Sequence, residues 1–245
     1  MDVVVLWLTL LFFLVAFLFS SVGQAGASGF IAVMALFSVP VAEIRPIALV
    51  LNIIVAAIGT YKYVRAKRFS LRTFIIFVLL SIPFSFVGGA IQLPGKQIKL
   101  VIGIVLILSS LCMLLRVYLR REYEVKKVPV PAGFICGSII GFFSGLTSIG
   151  GGIFLSPLLV FFKWSSVWST SGITSAFILV NSISGLMGQL SQGVIINWRI
   201  WPFVAAVVAG GYAGSDVGSR IKNNRAIIML LIVVLIISAI KIIIT

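Results

Sequence analysis

The stretch Gly145–Leu159, GLTSIGGGIFLSPLL, decides how this chain can fold. It lies inside a long apolar run, where a continuous membrane-spanning helix would be expected. Yet it contains three consecutive glycines and, five residues after the last of them, Pro157. In a helix interior each glycine costs about 1 kcal/mol relative to alanine, and a proline costs about 3 kcal/mol. The stretch therefore predicts an interruption of the helix.

The composition of the 245-residue chain is that of a membrane protein. Hydrophobic residues make up 61% of it and charged residues only 10%, whereas soluble domains average about 25% charged residues. Several apolar stretches reach the roughly 20 residues that a bilayer-spanning helix requires. We therefore expect an all-α polytopic membrane protein. No stretch is long or polar enough to form a separate soluble domain.

Basic residues account for the net charge of +14, and they are concentrated between the apolar spans. Short basic loops mark the cytoplasmic side of a membrane protein, which explains the charge better than a nucleic-acid-binding face does. With these loops inside, both termini lie outside, and inside loops hold 14 of the 19 basic residues. The three clusters are Lys62, Arg65, Lys67, Arg68 and Arg72; Arg116, Arg120, Arg121, Lys126 and Lys127; and Arg220, Lys222 and Arg225.

The rarer residue types disfavour several kinds of site. Histidine is absent, which removes the commonest metal ligand and the usual proton relay at neutral pH, and we expect neither a metal nor another cofactor. Cys112 and Cys136 lie within or at the edge of apolar segments, so a structural disulfide is not expected. Val3–Phe19 follows no basic region and is long for a signal peptide, and we interpret it as a retained span.

The two halves of the chain resemble each other weakly but in a constant order. Each half has about five helical segments, an odd number, so the halves would cross the membrane in opposite directions. We predict two inverted-topology repeats with Gly-interrupted helices: residues 1–127, ending in the basic cytoplasmic connector, and residues 128–245. Such repeats indicate a secondary transporter. The recurring features are SVGQAGASG at 21–29 with SGLTSIGGG at 144–152, Asn52 and Gly59 with Asn181 and Gly188, and Gly88–Gly89 with Gly210–Gly211.

The glycines have two different interpretations. Those that recur every four residues favour close helix–helix packing. The triplet Gly150–Gly152 breaks that spacing and predicts local unwinding, with tight packing as the alternative. Unwound backbone and the N-terminal end of the next helix together bind anions, and a Cβ on the triplet would intrude on this approach. The two regular stripes are Gly133, Gly137, Gly141 and Gly145, and Gly210, Gly214 and Gly218.

The candidate substrate-binding residues combine both glycine-bearing segments with polar groups of neighbouring spans. Their neutral donors suit an oxyanion, whereas a cation site would require buried carboxylates, which are nearly absent. Asp216 and Glu43 are the expected carriers if protons are coupled, with an ion pair to Arg220 and a solvated loop position as the alternatives. The candidates are Gly23, Gln24, Gly26, Ser28, Gly29, Asn52, Thr147, Ser148, Gly150, Gly151, Gly152 and Asn181.

The motif SIGGGIFLSP, Ser148–Pro157, resembles the Gly-rich segments of the sulfite exporter TauE/SafE family. The resemblance extends over nearly the whole chain, in its length, its paired glycine segments, its basic central loop and the Asn-bearing span after each glycine segment. It implies transport of sulfite, sulfonates or related organosulfur anions and leaves the direction of transport open. In the first half, Gly26-Ala27-Ser28-Gly29 stands in place of the triplet.

Other classes of function stay as alternatives. A passive anion channel would present similar backbone dipoles, and a membrane scaffold would not need unwound glycines. An intramembrane enzyme is disfavoured, since the chain lacks HExxH, GxSxG and paired intramembrane carboxylates, and we expect no enzymatic activity. The expected partners are a small anionic substrate and the lipid bilayer, with a homodimer as an open option and no nucleic acid. The expected location is the cell (inner or plasma) membrane.

Overall fold

The computed structural model of the protein describes residues 2–118, 124–195, 200–220 and 225–244, and no strand occurs in these ranges. The first half forms α1 (Asp2–Ser21), α2 (Ala27–Leu36), α3 (Val41–Arg65), α4 (Leu71–Ala90) and α5 (Gly95–Tyr118). The second half forms α6 (Val130–Thr147), α7 (Gly152–Phe161), α8 (Val167–Leu190), α9 (Trp201–Arg220) and α10 (Arg225–Ile244).

The helices range from 10 to 25 residues. Among the described residues five helices, α3, α4, α5, α6 and α8, are long and apolar enough to cross a membrane, so the chain is a multi-pass α-helical membrane protein, as predicted. In contrast, α2 and α7 have ten residues each. At 1.5 Å per residue each is about 15 Å long, half of the roughly 30 Å hydrocarbon core. The glycine-bearing legs are therefore half-length helices.

Each half-length helix follows a sharp turn of buried backbone. Gly26 precedes α2 with φ 109° and Gly151 precedes α7 with φ 72°, a left-handed conformation that residues with a Cβ rarely adopt. After the first turn α2 runs back along α1, and the Phe30 ring packs edge-on against the Phe12 ring with 5.3 Å between centroids. The predicted interruption of the helices at these glycines is confirmed.

The two halves also repeat in backbone conformation. The first and last residues of α7 lie 125 positions after those of α2. Three pairs of residues with positive φ are also 125 positions apart. Four of these six residues flank the turns before α2 and α7, and two follow the ends of these helices. The pairs are Gly23 and Ser148 (78° and 63°), Gly26 and Gly151 (109° and 72°), and Ser38 and Lys163 (58° and 58°).

The glycine stripes allow helices to approach to backbone contact. An added Cβ on Gly137 of α6 would overlap the carbonyl oxygen of Phe77 in α4, and one on Gly214 of α9 would overlap that of Phe17 in α1. Successive glycines of a stripe contact carbonyl oxygens of successively later residues in the neighbouring helix. The helix α4 therefore runs parallel to α6, and α1 runs parallel to α9. The packing role predicted for both stripes is confirmed.

The recurring glycine pairs make matching contacts. Gly88 of α4 lies against the carbonyl oxygen of Phe142 in α6, and Gly210 of α9 lies against that of Phe13 in α1. The phenylalanines are 129 residues apart, as are Asn52 and Asn181. The contact between α4 and α6 is therefore repeated between α9 and α1.

Three loops that carry basic residues lie at one end of the bundle. Gly172, near the start of α8, packs against the backbone of Arg68, and the N–H of Lys126 donates to the carbonyl oxygen of Lys163 at 2.8 Å. The loops after α3, before α6 and before α8 therefore share one face, while their side of the membrane stays a prediction. Arg120, Arg121 and Lys222 lie outside the described residues, as do the side chains of Arg116, Arg220 and Arg225.

Candidate functional site

The side-chain amide of Asn52 in α3 joins the two interrupted segments inside the protein. Its Oδ1 accepts a hydrogen bond from the N–H of Ala27, the first residue of α2, at 3.0 Å. Its Nδ2 donates to Oγ of Ser182 in α8 at 2.8 Å, and an added Cβ on Gly150 would overlap this nitrogen. Because Asn52 is fully buried, the start of α2 and the glycine triplet meet in the interior.

The turn before α7 uses its hydroxyl groups within the protein. Oγ of Ser148 accepts a hydrogen bond from Nε2 of Gln189 at 2.8 Å, and Thr147 donates from Oγ1 to the carbonyl oxygen of Phe143 at 2.6 Å. Ser148 has φ 63° although it carries a Cβ. These contacts hold a strained turn in place, so the two hydroxyls have a structural explanation.

The glycine triplet faces packed side chains. An added Cβ on Gly151 would lie 2.8 Å from Cγ2 of Ile140 and 3.0 Å from Cε1 of Phe177, and one on Gly152 would overlap the side chain of Ile178. At both positions a Cβ would meet protein side chains, so packing accounts for these glycines, while the approach of an anion to the triplet stays a prediction. Close packing against α8 explains Gly152, and close packing against α6 and α8 together with a positive φ explains Gly151.

The turn before α2 carries polar groups that the fold leaves without partners. The amide of Gln24 and the hydroxyl of Ser28 have no hydrogen-bond partner among the described residues, although the two side chains are only 3% and 0% exposed. Buried polar groups are normally hydrogen-bonded. By contrast, the carbonyl oxygen of Gly23 accepts hydrogen bonds from Thr174 at 3.0 Å and Ser175 at 3.4 Å. Gln24 and Ser28 are therefore two of the predicted site residues whose buried polar groups the described part of the protein leaves unpaired.

The other two glycines of this segment fit α2 against α1. An added Cβ on Gly26 would lie 3.3 Å from the Phe30 ring and 3.4 Å from Cβ of Phe19. One on Gly29 would lie 2.6 Å from the Phe19 ring and would overlap Val15. Both glycines thus bring the N-terminal end of α2 close to α1 and contribute to the candidate site through packing.

Asn181 lies one residue from Ser182 but faces a different neighbour. Its Nδ2 donates to Oγ of Ser81 in α4 at 3.0 Å and to the carbonyl oxygen of Phe177 at 2.9 Å. Its backbone carbonyl accepts from Oγ of Ser85 at 2.8 Å, while Oδ1 is buried without a partner among the described residues. The two asparagines predicted for one site are therefore split: Asn52 holds the two turns and Asn181 joins α8 to α4.

The two candidate carboxylates differ in surroundings. Asp216 in α9 is 36% exposed and forms an ion pair with Lys62 of α3 at 3.1 Å, and the Lys62 ammonium lies 3.7 Å from the centre of the Tyr212 ring. The side chain of Arg220 is not described, so the predicted pairing with it stays a prediction. Glu43 is exposed near the start of α3, which agrees with a solvated position.

On α8, sequence reasoning named Asn181 as a site residue but missed the serines. The helix contains seven serines and threonines, a polar content that could have marked it as lining the interior. Ser171, Ser175 and Ser182 are separated by four and seven residues, which places them on one helix face. Ser171 packs on Gly23, Ser175 donates to the same residue, and Ser182 accepts from Asn52. One face of α8 therefore contacts both the turn before α2 and Asn52, the residue that holds the start of α2.

The fold and the interior site together indicate the class of protein to which the chain belongs. Apolar spanning helices surround two half-length helices whose preceding turns are buried and polar, an arrangement characteristic of membrane transporters. The model of the sulfite exporter TauE/SafE family matches residues 8–242. The chain is a membrane transporter and belongs to this family, as the motif at Ser148–Pro157 predicts.

Several curated proteins are similar to the chain over more than half of its length. The chain is 37% identical to the probable membrane transporter protein y4hK of Sinorhizobium fredii, over 98% of this chain and 99% of that protein. It is 27% identical to the probable membrane transporter protein MJ0441 of Methanocaldococcus jannaschii over 57% and 54% of the two chains. For the probable membrane transporter protein YunE of Bacillus subtilis the identity is 24% over 73% and 72%. No solved structure matches the chain significantly.

Proposed function

We propose that the protein is a secondary transporter of small anions, with sulfite, sulfonates and related organosulfur anions as the favoured substrates. Transport would proceed by alternating access around the interior site formed by the two interrupted segments, without an enzymatic step. The cell membrane is the proposed location, and a homodimer is compatible with this function but is not required by it.

One observation carries the choice of an anion: the N-terminal end of α2 lies in the interior beside unpartnered donors. The first N–H groups of a helix have no partner within the helix, and its N-terminus carries a partial positive charge. Ser28, in the first turn of α2, adds a buried hydroxyl, and Gln24 adds a buried amide. Backbone and neutral side-chain donors of this kind bind oxyanions.

The two halves of the molecule support the proposed mechanism. The matching turns, half-length helices and glycine contacts are what a duplication produces, and five helices in each half reverse the second copy relative to the first. We propose residues 1–127 and 128–245 as two inverted-topology repeats that rock about the interior site. The half-length helices α2 and α7 would then expose the site to either side in turn.

The two anion subsites need not be equal. The positions that correspond to Gln24 and Ser28, 125 residues later, are Ile149 and Ile153, both apolar and buried. Thr147 and Ser148 already have protein partners. We therefore place the principal anion contacts at the α2 end, with Asn52 and the α7 turn closing the site from the other half.

Counterflow in proteoliposomes tests the function. The purified protein would be reconstituted and offered sulfite, sulfate, thiosulfate, sulfoacetate, taurine and simple carboxylates, with a thermal-shift panel beside it. A ligand at 100 times its Kd adds about 2.7 kcal/mol of stability. We expect at least one organosulfur anion to stabilise the protein and to show trans-acceleration. Flux without trans-acceleration would identify a channel instead, and a chemically altered substrate would identify an enzyme.

A further inference from the structure

An apolar groove runs along the outside of the protein where the two halves meet. It lies between α5, α6 and α7 and has a volume of about 690 Å³. Its lining is apolar along its whole length, from Val101 and Leu108 to Leu115 on α5, with Pro157 and Phe161 on the facing side of α7. From Val101 to Leu115 the groove follows α5 for about 21 Å at 1.5 Å per residue.

The half-length of α7 explains why the groove exists. Because α7 has only ten residues, it cannot fill the space between the longer helices α5 and α6. Beside the other half-length helix, Lys241 of α10 donates to the carbonyl oxygen of Leu36, the last residue of α2. Phe161 corresponds to Leu36 in α7, and α5 presents the apolar residues Cys112 and Leu115 there. A lysine of α10 therefore lies at the end of α2, whereas apolar residues of α5 line the groove beside α7.

One end of the groove carries positive charge. Phe161 and Phe162 form this end, and the exposed Lys163 follows them directly. The hydrogen bond between the N–H of Lys126 and the carbonyl oxygen of Lys163 brings the connector to the same place, and Lys127 is exposed beside it. Among the described residues of the connector before α6 and of the loop after α7, three are lysines and one, Glu124, is acidic.

We propose that this groove binds an anionic phospholipid, with one acyl chain lying between α5, α6 and α7 and the headgroup phosphate on Lys126, Lys127 and Lys163. A half-bilayer is about 15 Å deep, so a 21 Å groove accommodates the length of an acyl chain. Basic pockets at the ends of membrane helices bind anionic headgroups. The lysines distinguish this site from the uncharged apolar surface that any membrane protein presents to lipid.

A second copy of the chain fits this surface less well. In a two-fold dimer the same patch faces itself, and a membrane keeps both copies in one orientation. The three lysines of one copy would then approach those of the other, and like charges repel. An anionic headgroup neutralises the same lysines. The bound lipid would contact Pro157 and Leu158 in the middle of α7, so it is positioned to influence the half-length helix.

Native mass spectrometry of the delipidated full-length protein tests the proposal. Phosphatidylglycerol and phosphatidylcholine with identical chains would be titrated onto the wild type, and we expect phosphatidylglycerol to bind more tightly. Lys126→Gln/Lys127→Gln/Lys163→Gln should lower its affinity at least tenfold and leave phosphatidylcholine unchanged. The matched control Lys67→Gln/Lys96→Gln/Lys99→Gln removes the same charge from the loop after α3 and the start of α5 and should bind both lipids as the wild type does.

A second pair of variants tests the groove itself. Leu158→Trp fills the groove between α5 and α7 and should lower the affinity for both lipids, whereas Leu79→Trp, on the exposed face of α4 outside the groove, should not. Equal binding of phosphatidylglycerol by the wild type and the triple glutamine variant would overturn the proposal. A dimer that Leu158→Trp converts to a monomer, with lipid binding unchanged, would overturn it in favour of a second copy.

Discussion

Asn52 and Ser182 form a hydrogen bond of 2.8 Å that joins the middle of α3 to α8 across 130 residues of chain. The same asparagine accepts the N–H of Ala27 through Oδ1 at 3.0 Å. One side chain therefore fixes the start of α2, a neighbouring helix and, by contact, Gly150. This arrangement makes Asn52 a positioning residue for the interior site, and it can be tested without knowledge of the substrate.

Asn52→Ala should lower the free energy of unfolding by about 1–3 kcal/mol, since it leaves the Ala27 N–H and the Ser182 hydroxyl buried without their partner. The measurement is a melting curve in detergent. Ser182→Ala completes a double-mutant cycle, and a coupling of 0.5 kcal/mol or more is expected for residues in contact. Gln92→Ala is the control, because Gln92 also donates across the molecule, to the carbonyl oxygen of Gln192, but is exposed. Additive effects of Asn52 and Ser182 would contradict the anchoring role.

Gly137→Ala should destabilise the protein by about 1–3 kcal/mol, because its Cβ would overlap the carbonyl oxygen of Phe77 and force α4 and α6 apart. Gly95→Ala is the matched control. An added Cβ on Gly95, at the start of α5, would have no atom within 4 Å. Melting curves of the two variants should differ clearly in the midpoint. Equal midpoints would show that α6 can move without loss, and the small-residue stripe would then need another explanation.

Ala66→Cys and Gln192→Cys test the inverted arrangement of the two halves. Both positions are exposed, just after α3 and α8 respectively, and the residues that follow them, Lys67 and Gly193, both have positive φ. In inverted repeats these equivalent positions lie on opposite sides of the membrane. In a background with Cys112 and Cys136 replaced by serine, an impermeant maleimide should label Gln192→Cys from outside the cell and Ala66→Cys only after permeabilisation. Labelling of both from one side would contradict inverted repeats.

Asp216→Asn should change stability by less than about 1 kcal/mol, because the pair with Lys62 is partly exposed and such pairs contribute little. We also expect the pH dependence of uptake to be retained, since an ion-paired carboxylate at a helix surface need not carry a coupled proton. Lys62→Gln is the control, because it removes the same ion pair by changing its basic partner. If Asp216→Asn alone abolished the pH dependence while counterflow survived, the carboxylate would be a proton carrier.

Much of the architecture follows from the sequence because membrane folds are strongly constrained. Apolar spans, basic loops and four-residue glycine spacing each have few structural solutions, and Gly137 packs as its spacing predicts. The site is harder to predict, because the direction in which a glycine faces depends on the neighbouring helices. Gly151 reads as bare backbone in the sequence, but Ile140 and Phe177 come from helices that only the fold brings together. The sequence also does not show that the buried Ser28 hydroxyl has no hydrogen-bond partner among the described residues.

Ser28→Ala tests the anion contact most directly. The Ser28 hydroxyl is fully buried and has no protein partner among the described residues. Its removal should therefore leave the melting midpoint of the ligand-free protein unchanged or slightly raised, since an unsatisfied buried polar group is lost. A hydrogen bond to a charged ligand contributes about 1.5–3 kcal/mol, which corresponds to a roughly tenfold to hundredfold loss of affinity. The measurement is a thermal-shift titration with the organosulfur anion that gives the largest shift.

Ser109→Ala is the control for this experiment. Ser109 of α5 is also fully buried, but its hydroxyl donates to the carbonyl oxygen of Val105 at 2.6 Å, so its removal should not affect anion affinity. A Ser28→Ala protein that melts several degrees earlier would assign the hydroxyl a structural role. One that binds the anion as tightly as the wild type would move the site away from the α2 terminus. The next position to test would then be Asn181, the predicted site residue that faces α4 and lies away from the α2 terminus.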